Sequence, residues 1–207
     1  FPAPRPGWAA RRLIASSLRV LAEAGAVCAD SQASANDVAT LTGRQVDAVI
    51  PLYLRDFPVV DASRLARQAA APFLLHVGNN GFYKNRLGVA RVFAKLARAL
   101  PTLGLVFAGA APDEVLRREI VSQELSDRVR FDTNPDDARL AVLYSEAALL
   151  LFPSLYEGFG WPPLEAMQFG CPVVCSDAGS LPEVTGDAAF RCAPNDIAGF
   201  AGAASRI

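Results

Sequence analysis

Residues 147–176 read AALLLFPSLYEGFGWPPLEAMQFGCPVVCS, and this run sets the architecture. Ala147 to Phe152 is a short apolar run, and Pro172 to Ser176 is another. Continuous apolar runs of this length, bounded by turn residues, mark strands buried on both faces, as in a parallel sheet covered by helices. Between them lie a loop rich in glycine and proline and a helical stretch near Pro163 to Phe169. Parallel neighbours require such a crossover, so the segment is one βαβ unit.

The alternation extends in both directions. Phe73 to Val77 is a strand, followed by Gly78-Asn79-Asn80-Gly81 and a helix from Leu87 to Leu100. Leu87, Ala90, Val92, Phe93, Leu96 and Leu100 mark the apolar face of that helix. Leu103 to Ala108 is a second strand, ended by Gly109 and followed by a charged helix from about Pro112 to Leu125. Val129-Arg130-Phe131 is a third, with a turn at Asp132-Thr133-Asn134-Pro135 and a helix to about Ser145. Ala188 to Cys192 is a short last strand before a final helix. The pattern predicts an α/β fold, a Rossmann-like doubly wound parallel sheet over residues 72–207. Ligands of such sheets bind at the carboxyl ends of the strands. Those ends carry Gly78-Asn79-Asn80, Gly109, Asp132-Thr133-Asn134, Pro153 to Gly160 and Ser176 to Ser180, each of which alone is ordinary turn chemistry.

Residues 1–71 differ. Val27 to Ser31 is a strand ending at a helix cap, Ala33 to Leu41 the helix, and Asp47 to Leu54 a short strand leading into a linker with Pro58. Phe1 to Gly7, with three prolines, is expected to be poorly ordered. This stretch is too short for a domain and is expected to be the remnant of a preceding Rossmann-like domain plus a connector. The chain opens on Phe1 rather than Met, so an upstream part is expected to be missing, and the sheet domain is expected to be cut short at Ile207.

Bulk properties narrow the class. The 207 residues are 52% hydrophobic and 20% charged, the composition of a globular domain. Twenty basic residues face twenty-one acidic ones, a balance that argues against nucleic-acid binding but leaves room for a local basic strip at a membrane surface. The longest apolar stretch, Leu140 to Phe152, is too short to span a bilayer and contains Glu146. No secretory signal opens the chain. Cys171 and Cys175 flank a strand rather than a knuckle, and His76 is the only histidine, so a zinc site lacks ligands. Cys28, Cys171, Cys175 and Cys192 are read as buried, reduced thiols of a cytoplasmic protein.

The chemistry concentrates after the strand at 147–152. Glu157 lies in its loop, and Gly158 and Gly160 let backbone N–H groups approach a ligand closely. Pro162 and Pro163 suit the first turn of a helix, whose N-terminus favours a diphosphate. Glu165 falls in or near that turn and is expected to face the same cleft as Glu157. Carboxylates accept hydrogen bonds only, which suits the paired hydroxyls of a ribose or hexose. Two glutamates eight positions apart are common by chance, as a capping and a solvated residue; their surroundings give the pair its weight.

Those surroundings are Pro153-Ser154, Glu157-Gly158-Phe159-Gly160, Pro163-Leu164-Glu165-Ala166, Gly170-Cys171-Pro172-Val173-Val174, Ser176, Gly179 and Leu181-Pro182-Glu183 through Gly186-Asp187-Ala188-Ala189. From about Phe73 onward the sequence resembles the C-terminal domain of the retaining GT-B glycosyltransferases of family 4, including their E-x7-E pattern. The resemblance implies that Glu157 contacts the transferred sugar and that Glu165 binds the ribose hydroxyls. It also implies that Lys84, one of two lysines in the chain, neutralises the donor diphosphate from the first-strand loop. Gly78, Gly158, Phe159, Gly160 and Leu164 complete the donor site, and the loop at Thr133 sits where such proteins hold the base. Asn79 stands where many members have an arginine; Asn79, Asn80 or Arg86 is expected to supply the missing phosphate contact. His76 is expected to be a core histidine.

The activity so implied is transfer of a sugar, of the hexosyl class, from a nucleotide-diphosphate-sugar donor to a hydroxyl of a sugar, lipid-linked or other acceptor. Configuration would be retained and no metal or other cofactor needed. Glycan, polysaccharide or glycolipid synthesis at the inner face of a membrane is the implied setting. The alternatives are a nucleotide-sugar epimerase of the same architecture, which would lack the Glu-Gly-Phe-Gly block, and a donor-binding fragment inactive alone.

Overall fold

The computed structural model describes residues 7–58 and 71–207, so most of the stretch expected to be disordered, Phe1 to Gly7, lies outside the described residues. The chain divides into two compact units, with the boundary between Tyr53 and Leu54. The first holds helix α1 (Trp8–Glu23), strand β1 (Cys28–Ala29), helix α2 (Gln32–Thr42) and strand β2 (Ala48–Val49), with β1 and β2 parallel. Ser31 caps α2 by accepting from Ser34 N at 3.0 Å, the cap anticipated from sequence. Both strands are shorter than expected, and Val27 N donates to the Asp47 carboxylate at 2.7 Å where they begin. Helix α1 had no assignment in the sequence reading, although its sixteen residues contain neither glycine nor proline.

The second unit is a six-stranded parallel sheet in the order β5-β4-β3-β6-β7-β8. Its strands are β3 (Phe73–Gly78), β4 (Gly104–Gly109), β5 (Val129–Thr133), β6 (Leu149–Phe152), β7 (Val173–Ser176) and β8 (Phe190–Cys192). The intervening helices are α3 (Arg86–Ala97), α4 (Glu114–Ser122), α5 (Asp137–Glu146), α6 (Trp161–Gln168), the short α7 (Leu181–Thr185) and, last, α8 (Ile197–Ala204). The chain starts at the centre, winds outward to β5 and returns to the other side at β6. The strand order therefore reverses between β3 and β6, the place at whose carboxyl ends doubly wound sheets generally carry their ligand crevice.

Alternation along β3 shows the double winding. Leu74 packs with Phe93, Leu105, Leu116, Leu151 and Phe200, a core under α3, α4 and α8. Phe73 and Leu75 point the other way, with Val106, Tyr144, Leu150, Phe152 and Leu181 under α5, α6 and α7. Each large apolar side chain so buried contributes about 1.5–3 kcal/mol.

Several boundaries differ from expectation, among them the helices after β3 and β4, which end at Ala97 and Ser122 rather than Leu100 and Leu125. β5 continues through Asp132 to Thr133, so the turn starts at Asn134, which takes a left-handed φ of 49°. Asp132 is tolerated in the strand because Arg139 Nε donates to it at 2.6 Å. α6 starts at Trp161, which puts both prolines in its first turn. The four cysteines are free thiols, but only Cys171 and Cys175 are buried; Cys28 is exposed and Cys192 half-buried, contrary to the expectation for all four. Burial pushes the Cys171 and Cys175 thiols up to about 11. Among the described residues no helix is long and apolar enough to cross a membrane.

His76 is fully buried in β3, where Nδ1 lies 3.0 Å from the Leu151 carbonyl. A carbonyl only accepts, so Nδ1 carries the proton. Burial first, then the cations of Arg86 and Lys84, push its pKa down to about 3. The unfolded chain takes up this proton near pH 6.5 and the folded chain only near 3, so stability falls as pH drops through that window. At about pH 5 the loss is about 2 kcal/mol. His76→Asn keeps the N–H donor without titrating, so urea unfolding should show a shallower acid loss than the wild type; equal slopes would contradict a buried neutral imidazole. Gly109 has φ 123°, and a Cβ there would lie 2.4 Å from the Gly78 carbonyl oxygen. Gly109→Ala should therefore cost about 1–3 kcal/mol in the same assay.

Candidate functional site at the strand-order reversal

Lys84 reaches the crevice because its loop is fixed from both ends. Asn79 Oδ1 accepts from Gly81 N at 2.8 Å, and a 3-10 turn spans Phe82–Lys84. Asn85 then takes a left-handed conformation and caps α3. Gly78 leaves space for the lysine stem, whose Cδ would lie 3.2 Å from a Cβ at that position. Lys84 Nζ donates to Glu157 Oε1 at 2.8 Å, above the ring of Phe152.

Glu157 is set by the loop after β7. Ser180 N and Oγ both donate to the Glu157 carbonyl at 3.1 Å, and Ser180 Oγ donates to Phe159 O at 2.6 Å. Gly179, at φ 59°, permits this approach: a Cβ there would sit 2.5 Å from Glu157 O. Phe159 is buried edge-on against Trp161, Gly158 is exposed, and Leu164 is half-buried. Gly160, at φ 99°, leads into α6. Because Pro162 and Pro163 lack N–H groups, α6 offers fewer free donors than a helix N-terminus normally does.

Glu165 is the fifth residue of α6 and lies in its second turn rather than its first. Its side chain turns toward α5 and shares no partner with Glu157. Tyr144 donates to Oε2 at 2.7 Å and Arg55 Nε to Oε1 at 2.8 Å, leaving the residue 4% exposed. Burial, then the charge on Glu165, raises the Tyr144 hydroxyl well above its usual range. Neither Tyr144 nor Arg55 stood out in the sequence. A core tyrosine and a lone arginine ahead of a linker carry no spacing signal.

Arg86, the first residue of α3, is 6% exposed and lies over Phe107. Nη1 donates to Asn80 Oδ1 and, at 3.1 Å, to Ala110 O, but Nε and Nη2 have no hydrogen-bond partner. Burial lowers its pKa, with Asp113 opposing at a distance. Among the described residues no carboxylate lies against it, and a buried guanidinium with unused donors is energetically costly, a cost that an anion would relieve. Asn79 Oδ1 is taken by Gly81 N, and Asn80 is held at both ends, its Oδ1 accepting from Arg86 and its Nδ2 donating to Ala111 O at 2.8 Å. Thr133, at the end of β5, is exposed and stands apart from these contacts. Among the described residues no cluster of three or more His, Cys, Asp or Glu side chains could hold a metal ion.

A family model described as glycosyl transferases group 1 matches residues 62–207. Over 143 residues the chain is 36% identical to the O-antigen chain mannosyltransferase B of Escherichia coli, covering 68% of this chain and 37% of that protein. Sucrose-phosphate synthase from Thermosynechococcus elongatus superposes with a TM-score of 0.74 at 27% identity, covering 95% of this chain and 52% of that one. The pneumococcal O-GlcNAc transferase GtfA, solved with UDP and GlcNAc, shares the fold at a TM-score of 0.70 and 18% identity, over 86% of this chain and 37% of that one. The matched stretch thus spans well under half of the mannosyltransferase's length. On the family match, with a parallel sheet of the GT-B kind beneath it, the chain belongs to the group 1 glycosyl transferases.

Proposed function

We propose that residues 72–207 bind the donor of a retaining glycosyltransferase, a nucleoside diphosphate sugar whose sugar passes to an acceptor hydroxyl. The observation that carries this reading is Lys84 paired with Glu157 at the crevice, with the buried, under-bonded Arg86 on the same loop. The family match favours transfer over epimerisation. The complex of GtfA with UDP and GlcNAc, a protein of the same fold, supports a nucleotide donor.

Breaking the bond between the anomeric carbon and the β-phosphate oxygen leaves the electron pair on the phosphate. Cations and N–H groups already aimed there stabilise that charge without reorganising. Lys84, Arg86 and the amides of Gly158 to Gly160 take this role, and Arg86 stands in for the arginine displaced by Asn79. Glu157 accepts from hydroxyls of the transferred sugar while orienting Lys84, and Glu165 accepts from the ribose. Thr133 lies at the base end. Two side-chain cations supply the charge, so donor binding should be unchanged by a chelator. On this reading the first compact unit, which ends at Tyr53, belongs to an acceptor-side domain.

Calorimetry with UDP, GDP and ADP tests the reading, with tight binding expected for one of them. Glu165→Ala should weaken that nucleotide about tenfold or more, and Glu157→Ala should lower transfer with a smaller effect on affinity. Arg86→Met should weaken the diphosphate far more than the nucleoside. Undiminished binding by both Glu165→Ala and Arg86→Met would overturn the proposed site.

A further inference from the structure

We propose that Arg55 is a positioning residue for Glu165, fixing the carboxylate that would grip the donor ribose. The inference rests on the donor-site reading above and adds a residue from outside the sheet, in the segment just past the boundary between the two units.

Arg55 Nε donates to Glu165 Oε1 at 2.8 Å, and Nη1 donates to Asp137 Oδ1 at 2.6 Å. The guanidinium lies over the ring of Phe57, 4.4 Å from its centroid. Phe57 meets Tyr144 and Phe169 edge-on, and those two rings stack on each other. Segment 55–57 is thus anchored to α5 and to the end of α6 by an aromatic cluster. Tyr144 closes the arrangement through its hydroxyl, 2.7 Å from Glu165 Oε2.

Each oxygen of Glu165 therefore has one fixed donor. A carboxylate has about four acceptor positions, so one remains on each oxygen, which matches the adjacent hydroxyls of a ribose. A glutamate held this way need not lose rotamer freedom when the ligand arrives, and affinity gains accordingly. The Arg55 side chain is 40% exposed but that of Glu165 only 6%, so removing the guanidinium leaves a buried carboxylate one donor short and costs stability as well as orientation. Asp137 opens α5 just after the turn that follows β5, so the guanidinium spans from Glu165 to the base end of the site. With two carboxylates against one guanidinium, Arg55 brings no surplus positive charge to this end of the site, which leaves the diphosphate to Lys84 and Arg86.

The test compares a ribonucleoside diphosphate with its 2′,3′-dideoxy counterpart by calorimetry on the whole chain. Wild type should prefer the ribonucleotide. Arg55→Met keeps the stem over Phe57, and Tyr144→Phe keeps the ring packing. Each should weaken the ribonucleotide about three- to tenfold while leaving the dideoxy compound unchanged. A purely structural role would weaken both ligands alike, and that result, or no loss at all, would overturn the proposal while the donor site stood. If wild type binds neither ligand, the donor-site reading fails and this inference falls with it.

Discussion

One asparagine holds three loops of the carboxyl edge together. Asn85 takes φ 52° and ψ 43°, a conformation asparagine tolerates better than most residues. Its Oδ1 accepts from Gly88 N at 3.1 Å, while Nδ2 donates to Pro153 O at 2.9 Å and to Pro194 O at 3.2 Å. Those carbonyls belong to the loops after β6 and β8, so a side chain on the first loop sets the distance to two others. Gly88 is part of the device, because a Cβ there would lie 2.6 Å from the Asn85 amide. Lys84 immediately precedes this anchor, and Leu155 N, donating to Tyr83 O at 2.7 Å, adds a second tie. The Lys84–Glu157 pair forms where it does because these bonds leave its two loops little freedom.

Charge at this edge is arranged unevenly. Lys84 is compensated by Glu157, Arg86 has no carboxylate against it among the described residues, and His76 lies beneath both as a neutral imidazole. Away from bulk water each of these charges acts more strongly than it would on an open surface. Burial that disfavours an uncompensated guanidinium in the folded protein also strengthens its attraction for an anion. The same residue is thus a cost to stability in the folded protein and, on the proposed reading, the group that a bound anion would satisfy.

The sheet was legible in the sequence because its strands are continuous apolar runs separated by Gly, Pro, Asn and Asp, a pattern that burial on two faces imposes. Boundaries failed where a polar residue is rescued by a distant partner, as Asp132 is by Arg139. Glu157 and Lys84 were legible as a pair of loop residues on neighbouring strands. The partners of Glu165 were not. Arg55 lies 110 positions upstream of it, and only the folded chain brings the two together. Nor could spacing show that Arg86, unlike Asn79 and Asn80, is buried, with Nε and Nη2 lacking a partner among the described residues.

The most direct measurement is a map of backbone amide shifts by NMR as a nucleoside diphosphate is added. Binding should perturb residues 78–86, 109–111, 157–160 and 179–181, all at the carboxyl edge around the β3–β6 reversal. Perturbations confined to the opposite edge, around Leu103, Gly104, Arg128 and Arg130, would contradict a donor site at that reversal.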